Sequence, residues 1–211
     1  MIWERLPLGP LQTNCYIIKN ERKECLIFDP GGDGDRLLKL LRSRQYTPLA
    51  ILLTHAHFDH IGAVDVIREA YKIPLYIHKN EEKWLEDPSL NGSQFFMMGS
   101  LTKVKSADRI LTDESSLTIG SFNLEVMRTP GHSPGSLSFY IKDNDIVIAG
   151  DTLFQGSIGR TDLPGGNHEE LLNSIHTHLL SLPENTLVLP GHGHETSVEE
   201  EMDQNPFLNG F

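Results

Sequence analysis

Apolar runs of five or six residues recur along the chain, each closed by a polar turn, and between them lie longer stretches with apolar residues at helical spacing. Thr13–Lys19 and Glu24–Asp29 read as two strands joined by Asn20-Glu21-Arg22-Lys23, a hairpin that runs into the turn Asp29-Pro30-Gly31-Gly32. A helix around Arg36–Gln45 carries Leu37, Leu38 and Leu41 on one face. Leu49–Leu53 reads as a buried strand, followed by a polar loop, an amphipathic helix from Ile61 to Tyr71 and a short strand, Leu75–His78. The second half opens with strands near Asp108–Leu111 and Leu117–Ile119 and continues with Asn123–Arg128, Ser136–Ile141 and Asp145–Ala149. A helix begins at Asn167, whose side chain caps it while Glu170 reaches back in a capping box; Leu171, Leu172, Ile175 and Leu179 form its apolar stripe. The last strand is Thr186–Leu189. Each half thus has strands first and a covering helix after. That order predicts an α/β protein with two sheets face to face and helices outside, a four-layer αββα sandwich.

Length makes a single domain over residues 1–211 the default, with two small ones as the alternative. No apolar run approaches the roughly eighteen residues of a membrane span, so no membrane partner is expected. Met1-Ile2-Trp3-Glu4-Arg5-Leu6 places an acid where a secretory signal is basic and then apolar, which makes cytoplasmic residence the expectation. The two cysteines fit it. In the first hairpin Cys15 would face roughly Phe28 and Cys25 roughly Ile18, so free buried thiols are expected. A net charge of −11 argues against a polyanionic partner and hence against nucleic acid. Part of that acidity belongs to a site that cations neutralise; the acids between Glu195 and Asp203 read as a solvated face.

The loop after Leu53 concentrates the chemistry. Thr54-His55-Ala56-His57-Phe58-Asp59-His60 brings three histidines and an aspartate together at a strand end and the first turn of a helix. In an extended loop residues two apart point the same way, so His55 and His57 can reach one ion, while Asp59 and His60 are placed for a second. Three further strand ends carry polar turns with His or Asp: Thr129-Pro130-Gly131-His132, Ala149-Gly150-Asp151 and Leu189-Pro190-Gly191-His192-Gly193. They supply further donors from a shared edge, with glycines beside each that let the backbone pass close to a metal.

These motifs, in this order over nearly the whole chain, resemble the metallo-β-lactamase superfamily. Asp151, where secreted class B β-lactamases use a cysteine, is similar to the glyoxalase II branch. Ile158-Gly159-Arg160-Thr161-Asp162 and the Asn205-Pro206-Phe207 segment are similar to the short bacterial glyoxalase II-like hydrolases. The resemblance implies one ion held by His55, His57 and His132, a second held by Asp59, His60 and His192, and Asp151 bridging both. Zinc is the first expectation for the two divalent ions, with iron or manganese as alternatives, because imidazole and carboxylate suit all three and no thiolate is present in the set.

The implied function is hydrolysis of a small hydroxyacyl thioester by attack of a metal-bound hydroxide, with Asp59 orienting the nucleophile. The alternatives are a mononuclear iron persulfide dioxygenase with His55, His132 and Asp151 as its triad, and a lactonase using the same hydroxide. The implied partner is a small-molecule substrate, and the protein a monomer or homodimer. Full-length glyoxalase II has a further helical region after its last ligand, whereas 19 residues follow His192 here, so weak selectivity for the thiol carrier is expected.

Asp29 and Thr54 are candidates to orient ligand imidazoles. Arg160 and Asp162 are expected to form an ion pair that shapes the site, the alternative being a substrate carboxylate on Arg160. His78, His168, His176 and His178 read as packing or solvated residues, and His194 as no ligand. Asn91-Gly-Ser-Gln-Phe-Phe-Met-Met98 is expected to pack under its own loop rather than line a pocket or dimer contact.

Overall fold

The computed structural model describes residues 2–97 and 101–208. The chain divides into two compact units, Met1–Thr112 with Ile119–Ser121, and Asp113–Thr118 with Phe122–Phe211. The first contains β1 (Ile2–Leu8), β2 (Thr13–Lys19), β3 (Glu24–Phe28), α1 (Gly34–Arg44), β4 (Thr47–Leu52), α2 (Phe58–Ile61), α3 (Val64–Tyr71), β5 (Leu75–His78), a 3₁₀ segment Lys79–Leu85, α4 (Ser93–Phe96) and β6 (Arg109–Leu111). The second holds β7 (Ser116–Ile119), which straddles the division, β8 (Phe122–Arg128), β9 (Leu137–Ile141), β10 (Ile146–Gly150), β11 (Leu153–Phe154) and β12 (Ser157–Ile158). It is completed by α5 (His168–Ser174), a π-helical continuation Ile175–Leu179, β13 (Leu187–Pro190), β14 (Thr196–Ser197) and α6 (Val198–Gln204).

The first sheet runs β1-β2-β3-β4-β5-β6. β1, β2 and β3 pair antiparallel, and β3, β4, β5 and β6 pair parallel. Leu37 and Leu41 of α1 and Val64 and Ile67 of α3 join Ile17, Ile27, Ile51 and Ile77 in one core, so these helices cover one face of the sheet. The second sheet runs β14-β13-β10-β9-β8-β7, with β10 and β13 parallel. Leu171, Leu172, Ile175 and Leu179 pack with Val147, Val188 and Val198, so the stripe expected on the Asn167 helix is its buried face. Two sheets with helices against them give the α/β class expected.

The differences have physical causes. β1 was not expected; its mostly half-buried side chains show no clear alternation, and it joins the sheet by pairing with β2. The helix expected from Ile61 to Tyr71 is two pieces, because Gly62 is pressed against Pro30-Gly31: a Cβ there would lie 2.4 Å from the Gly31 carbonyl oxygen, and Ala63 N–H donates to Pro30 O. In the first hairpin Tyr16, not Cys15, faces Phe28, and Lys19, not Ile18, faces Cys25. Lys23 takes a left-handed φ of 63° and Asn20 N–H bonds Glu24 O, so the loop is one residue shorter than a symmetric four-residue turn. Both thiols are nonetheless free and buried, as expected.

Asn167 does cap α5, accepting from Glu170 N–H at 3.2 Å, but its own N–H donates to Gly131 O rather than to the Glu170 side chain. The acids after Glu195 are not all solvated: Glu201 is 1% exposed. In the segment from Asn91, the buried residues are Asn91, Gly92 and Ser93, whereas Phe95 and Phe96 are 63% and 49% exposed; Met98 and residues 99–100 lie outside the described residues. Asn91 makes the anchor instead, its amide donating to the carbonyls of Trp84 and Thr102, and this turns the aromatics of α4 outward.

Candidate metal centre

In the first unit, parallel pairing brings the C-terminal ends of β3 and β4 out side by side, so Asp29 and Thr54 emerge as neighbours. Asp29 leaves the strand at a left-handed φ of 47° and is 2% exposed. Its Oδ1 accepts from Thr54 N–H at 2.8 Å, and its Oδ2 accepts the Thr54 hydroxyl at 2.6 Å. The same Oδ2 lies 3.0 Å from His60 Nδ1. Because the Thr54 hydroxyl gives its proton to Asp29, its oxygen is the acceptor for His55 Nδ1–H, 3.1 Å away. One carboxylate therefore sets the tautomer of two imidazoles, placing each proton on Nδ1 and the lone pair on Nε2, the form that ligates a divalent ion.

The rest of the loop is held from three sides. The His55 ring lies 4.8 Å from that of His57 and 4.0 Å from that of His60. A Cβ on Gly31 would sit 1.8 Å from the Asp59 carbonyl oxygen, so only glycine lets the Pro30–Gly32 turn pass beneath α2. Thr13, the first residue of β2, donates its hydroxyl to Asp59 Oδ2 at 2.7 Å. Glu81, fully buried in the 3₁₀ segment, accepts Ala56 N–H between His55 and His57. Sequence reasoning missed both supports. A hydroxyl at a strand start gives no signal, and Glu81 sits among Lys79, Glu82 and Lys83, where the pattern reads as solvated.

In the second unit, three separate turns converge on Asp151. Its Oδ2 lies 3.7 Å from His132 Nε2 and 3.6 Å from His192 Nε2. His132 is buried and donates Nδ1–H to the main-chain carbonyl of Arg160 at 2.8 Å; His192 is 31% exposed. Here the backbone does the positioning. Gly131 is wedged against α5, where a Cβ would meet Leu171 Cα at 2.3 Å. Gly159 is tighter still: a Cβ would fall 1.9 Å from the Asp151 carbonyl oxygen and 3.2 Å from His132 Cβ. Thr152 and Thr129 beneath these turns share a hydroxyl contact of 3.3 Å.

Arg160 and Asp162 form the expected pair, bidentate at 2.7 Å in both contacts, with side chains 53% and 68% exposed. The hydrogen bonds from Arg160 hold the Asp162 carboxyl down, to about 2. His194 and His168 are exposed, and His78 is buried, with Nδ1 accepting Asn80 N–H and Nε2 facing Thr112 O.

With seven donors, five imidazoles and two carboxylates, the set is chemically sufficient for two divalent ions, and the anchored Nδ1 protons of His55, His60 and His132 fit that use. Residues 8–192 match the metallo-beta-lactamase superfamily, and the chain belongs to that superfamily of metallo-hydrolases. It is 58% identical to the probable metallo-hydrolase YqgX of Bacillus subtilis, over all of this chain and 99% of that one. To the hydroxyacylglutathione hydrolase GloC of Haemophilus influenzae it is 34% identical, over 98% of this chain and 97% of that one. Among solved structures, BLEG-1, a B3 metallo-beta-lactamase, superposes with a TM-score of 0.97 at 56% identity, covering 99% of this chain and 100% of that one. TTHA1623 in a di-iron-bound form gives 0.88 at 40% identity, covering 97% and 100%. The fold class is accordingly that of the metallo-β-lactamases, the αββα class expected from the order of elements. No helix among the described residues is long and apolar enough to cross a membrane.

Proposed function

We propose that this protein is a dinuclear metal-dependent hydrolase of small hydroxyacyl thioesters. The observation that carries the reading is the single buried carboxylate of Asp29, which prepares His55 and His60 together as ligands. Such investment in imidazole tautomer and orientation serves a bound ion rather than a solvated loop. In this reading His55, His57 and His132 take one ion, Asp59, His60 and His192 the other, and Asp151 both. Likeness to GloC over the length of both chains supports a hydroxyacyl thioester as substrate.

Two divalent ions held by these residues would lower the pKa of bound water and polarise the substrate carbonyl. The chain's own residues supply the rest. Asp59, fixed through one oxygen by Thr13, orients the attacking water as well as ligating. The Asp29–Thr54 pair holds the His55 and His60 rings against rotation while charge develops. A thiolate leaves with little need of a proton, so the reaction requires no separate general acid, and none is assigned. Zinc is the proposed metal; the di-iron form of TTHA1623 keeps iron a direct competitor. The cytoplasm is the proposed location, supported by two free, buried thiols.

A second reading, opening of a β-lactam ring by the same chemistry, is favoured by the likeness to BLEG-1. Metal analysis of the isolated protein, paired with kcat/KM on a lactoyl thioester, a lactone, a cephalosporin and a persulfide, decides between them. Two metals per chain with the thioester preferred by at least about tenfold, a difference of about 1.4 kcal/mol, is expected. Preference for the cephalosporin would put the second reading first. One iron per chain with oxygen uptake on the persulfide would replace both.

A further inference from the structure

The metal centre leaves one motif unexplained, Asn205-Pro206-Phe207, and one buried charge unused, Glu201. They belong together. Glu201 lies on α6, and its carboxylate accepts Gly156 N–H at 2.9 and 3.2 Å, the Thr196 hydroxyl at 2.6 Å and the Asn205 amide at 2.6 Å. The Asn205 amide also donates to Ser157 O at 3.1 Å, and its carbonyl accepts Phe207 N–H at 2.9 Å. Pro206 cannot continue the helix, so α6 ends with Asn205 turned inward and fully buried. Both residues thus grip the same target, the Gly156-Ser157 tip of the β11–β12 ribbon.

That ribbon is the covalent link between two parts of the centre. At its base are Asp151, which lies between His132 and His192, and Arg160, whose carbonyl holds the His132 ring. The ribbon has a single pair of two-residue strands, so little of its own hydrogen bonding resists displacement. Leu153 and Ile158 pack on Val198 and Leu208, which fixes its inner face but not its register along α6. A carboxylate collecting three donors at one end supplies that constraint.

We infer that Glu201 and Asn205 form a latch that positions the β11–β12 ribbon, and through it Asp151 and the carbonyl that orients His132, so that the C-terminal helix is part of the metal-binding apparatus. Neither residue touches an ion or substrate; both are positioning residues. The inference rests on the dinuclear reading of the centre.

The test is zinc retention against a competing chelator, with thermal unfolding of the metal-stripped protein measured in parallel on the full chain. Glu201→Ala and Asn205→Ala are expected to weaken retention of zinc about tenfold, the lower end of what removing an outer support of a metal site does. Glu201→Gln, which keeps the shape and one acceptor oxygen, is expected to fall between Ala and the parent. Leu179→Ala is the control: it opens a cavity in the same core from the π-helical segment and leaves Glu201 and Asn205 in place. It should lower the unfolding temperature at least as much as Glu201→Ala and leave zinc retention within about twofold. Equal retention in Glu201→Ala and the parent, with the unfolding temperature lowered, would overturn the latch and leave the dinuclear reading standing. A parent protein that retains fewer than two zinc ions would instead overturn that reading, before any variant is compared.

Discussion

The two units hold their proposed ligands by different means. In the first, four donors follow one another in a single loop, and side chains secure them: Asp29 and Thr54 behind His55 and His60, Thr13 behind Asp59, Glu81 behind Ala56. In the second, three donors come from three turns, and main chain secures them: the Arg160 carbonyl on His132, with glycines where turns pass within van der Waals distance. The difference follows from geometry. A contiguous loop has side-chain neighbours on every flank, whereas separate turns must be brought close by removing side chains. A loop of the first kind is sensitive to polar substitutions nearby as well as to an added carbon at Gly31, and a set of the second kind chiefly to added carbon.

The largest expected effect tests that second half. Gly159→Ala places a Cβ against the Asp151 and His132 backbone regions, where no flexible side chain can give way. A loss of about 3 kcal/mol in stability is expected, together with loss of bound metal, measured by denaturant unfolding and elemental analysis. Gly156→Ala on the same ribbon has open space and only a left-handed φ of 63° to overcome. It should cost about 1 kcal/mol. Equal effects at the two positions would mean that close approach is not what the glycine provides.

Next in size is Asp29→Asn, which keeps the shape but cannot accept on both sides. Metal affinity should fall by roughly 10- to 100-fold, with both ions affected because His55 and His60 share the carboxylate. Arg160→Ala sharpens the contrast, since the bond to His132 comes from the main chain and should survive. Metal binding weakened as much by Arg160→Ala as by Asp29→Asn would break the comparison.

A smaller effect separates the two histidines of the last turn. His192→Ala should deplete one of two metals, and the exposed His194→Ala neither; equal loss in elemental analysis would move the ligand. Smallest of all is Arg160→Lys. The pair is bidentate but exposed, so thermal stability should hardly move. Its pH dependence has a definite sign. Asp162 is depressed in the folded protein to about 2, so its contribution is present above the ordinary carboxylate pKa and is lost as pH falls from there through about 2. Any gap in unfolding temperature between parent and Arg160→Lys should therefore be level from neutral pH down to about 5 and close in stronger acid.

Much of this was legible in the sequence because it is local. β2 and β5 lie where their apolar runs say, and the ligand motifs fall at strand ends as a strand–loop–helix reading requires. What escaped is set by contacts between distant segments. Gly62 breaks a helix only because Gly31 crosses beneath it. Asn167 N–H leaves its capping box for Gly131 O, a partner 36 positions back along the chain. Glu81 and Glu201 look like surface acids until folding encloses them, since a charged side chain bears no mark of its future partners. Asp29 and Thr54 were legible because each lies just past a strand end, and parallel strands bring their ends together.

The two cysteines give the first unit a built-in clock. Cys15 and Cys25 are sealed in adjacent strands, and burial drives both thiols up, Cys25 to about 12. A thiol so enclosed and so reluctant to ionise reacts with an alkylating reagent only in the moments when its sheet opens. Labelling rate is then a direct count of openings, free of any added probe. Since Cys15 sits two residues from Thr13, which is tied to Asp59, that count also registers how firmly the ligand loop is fastened to the sheet beside it.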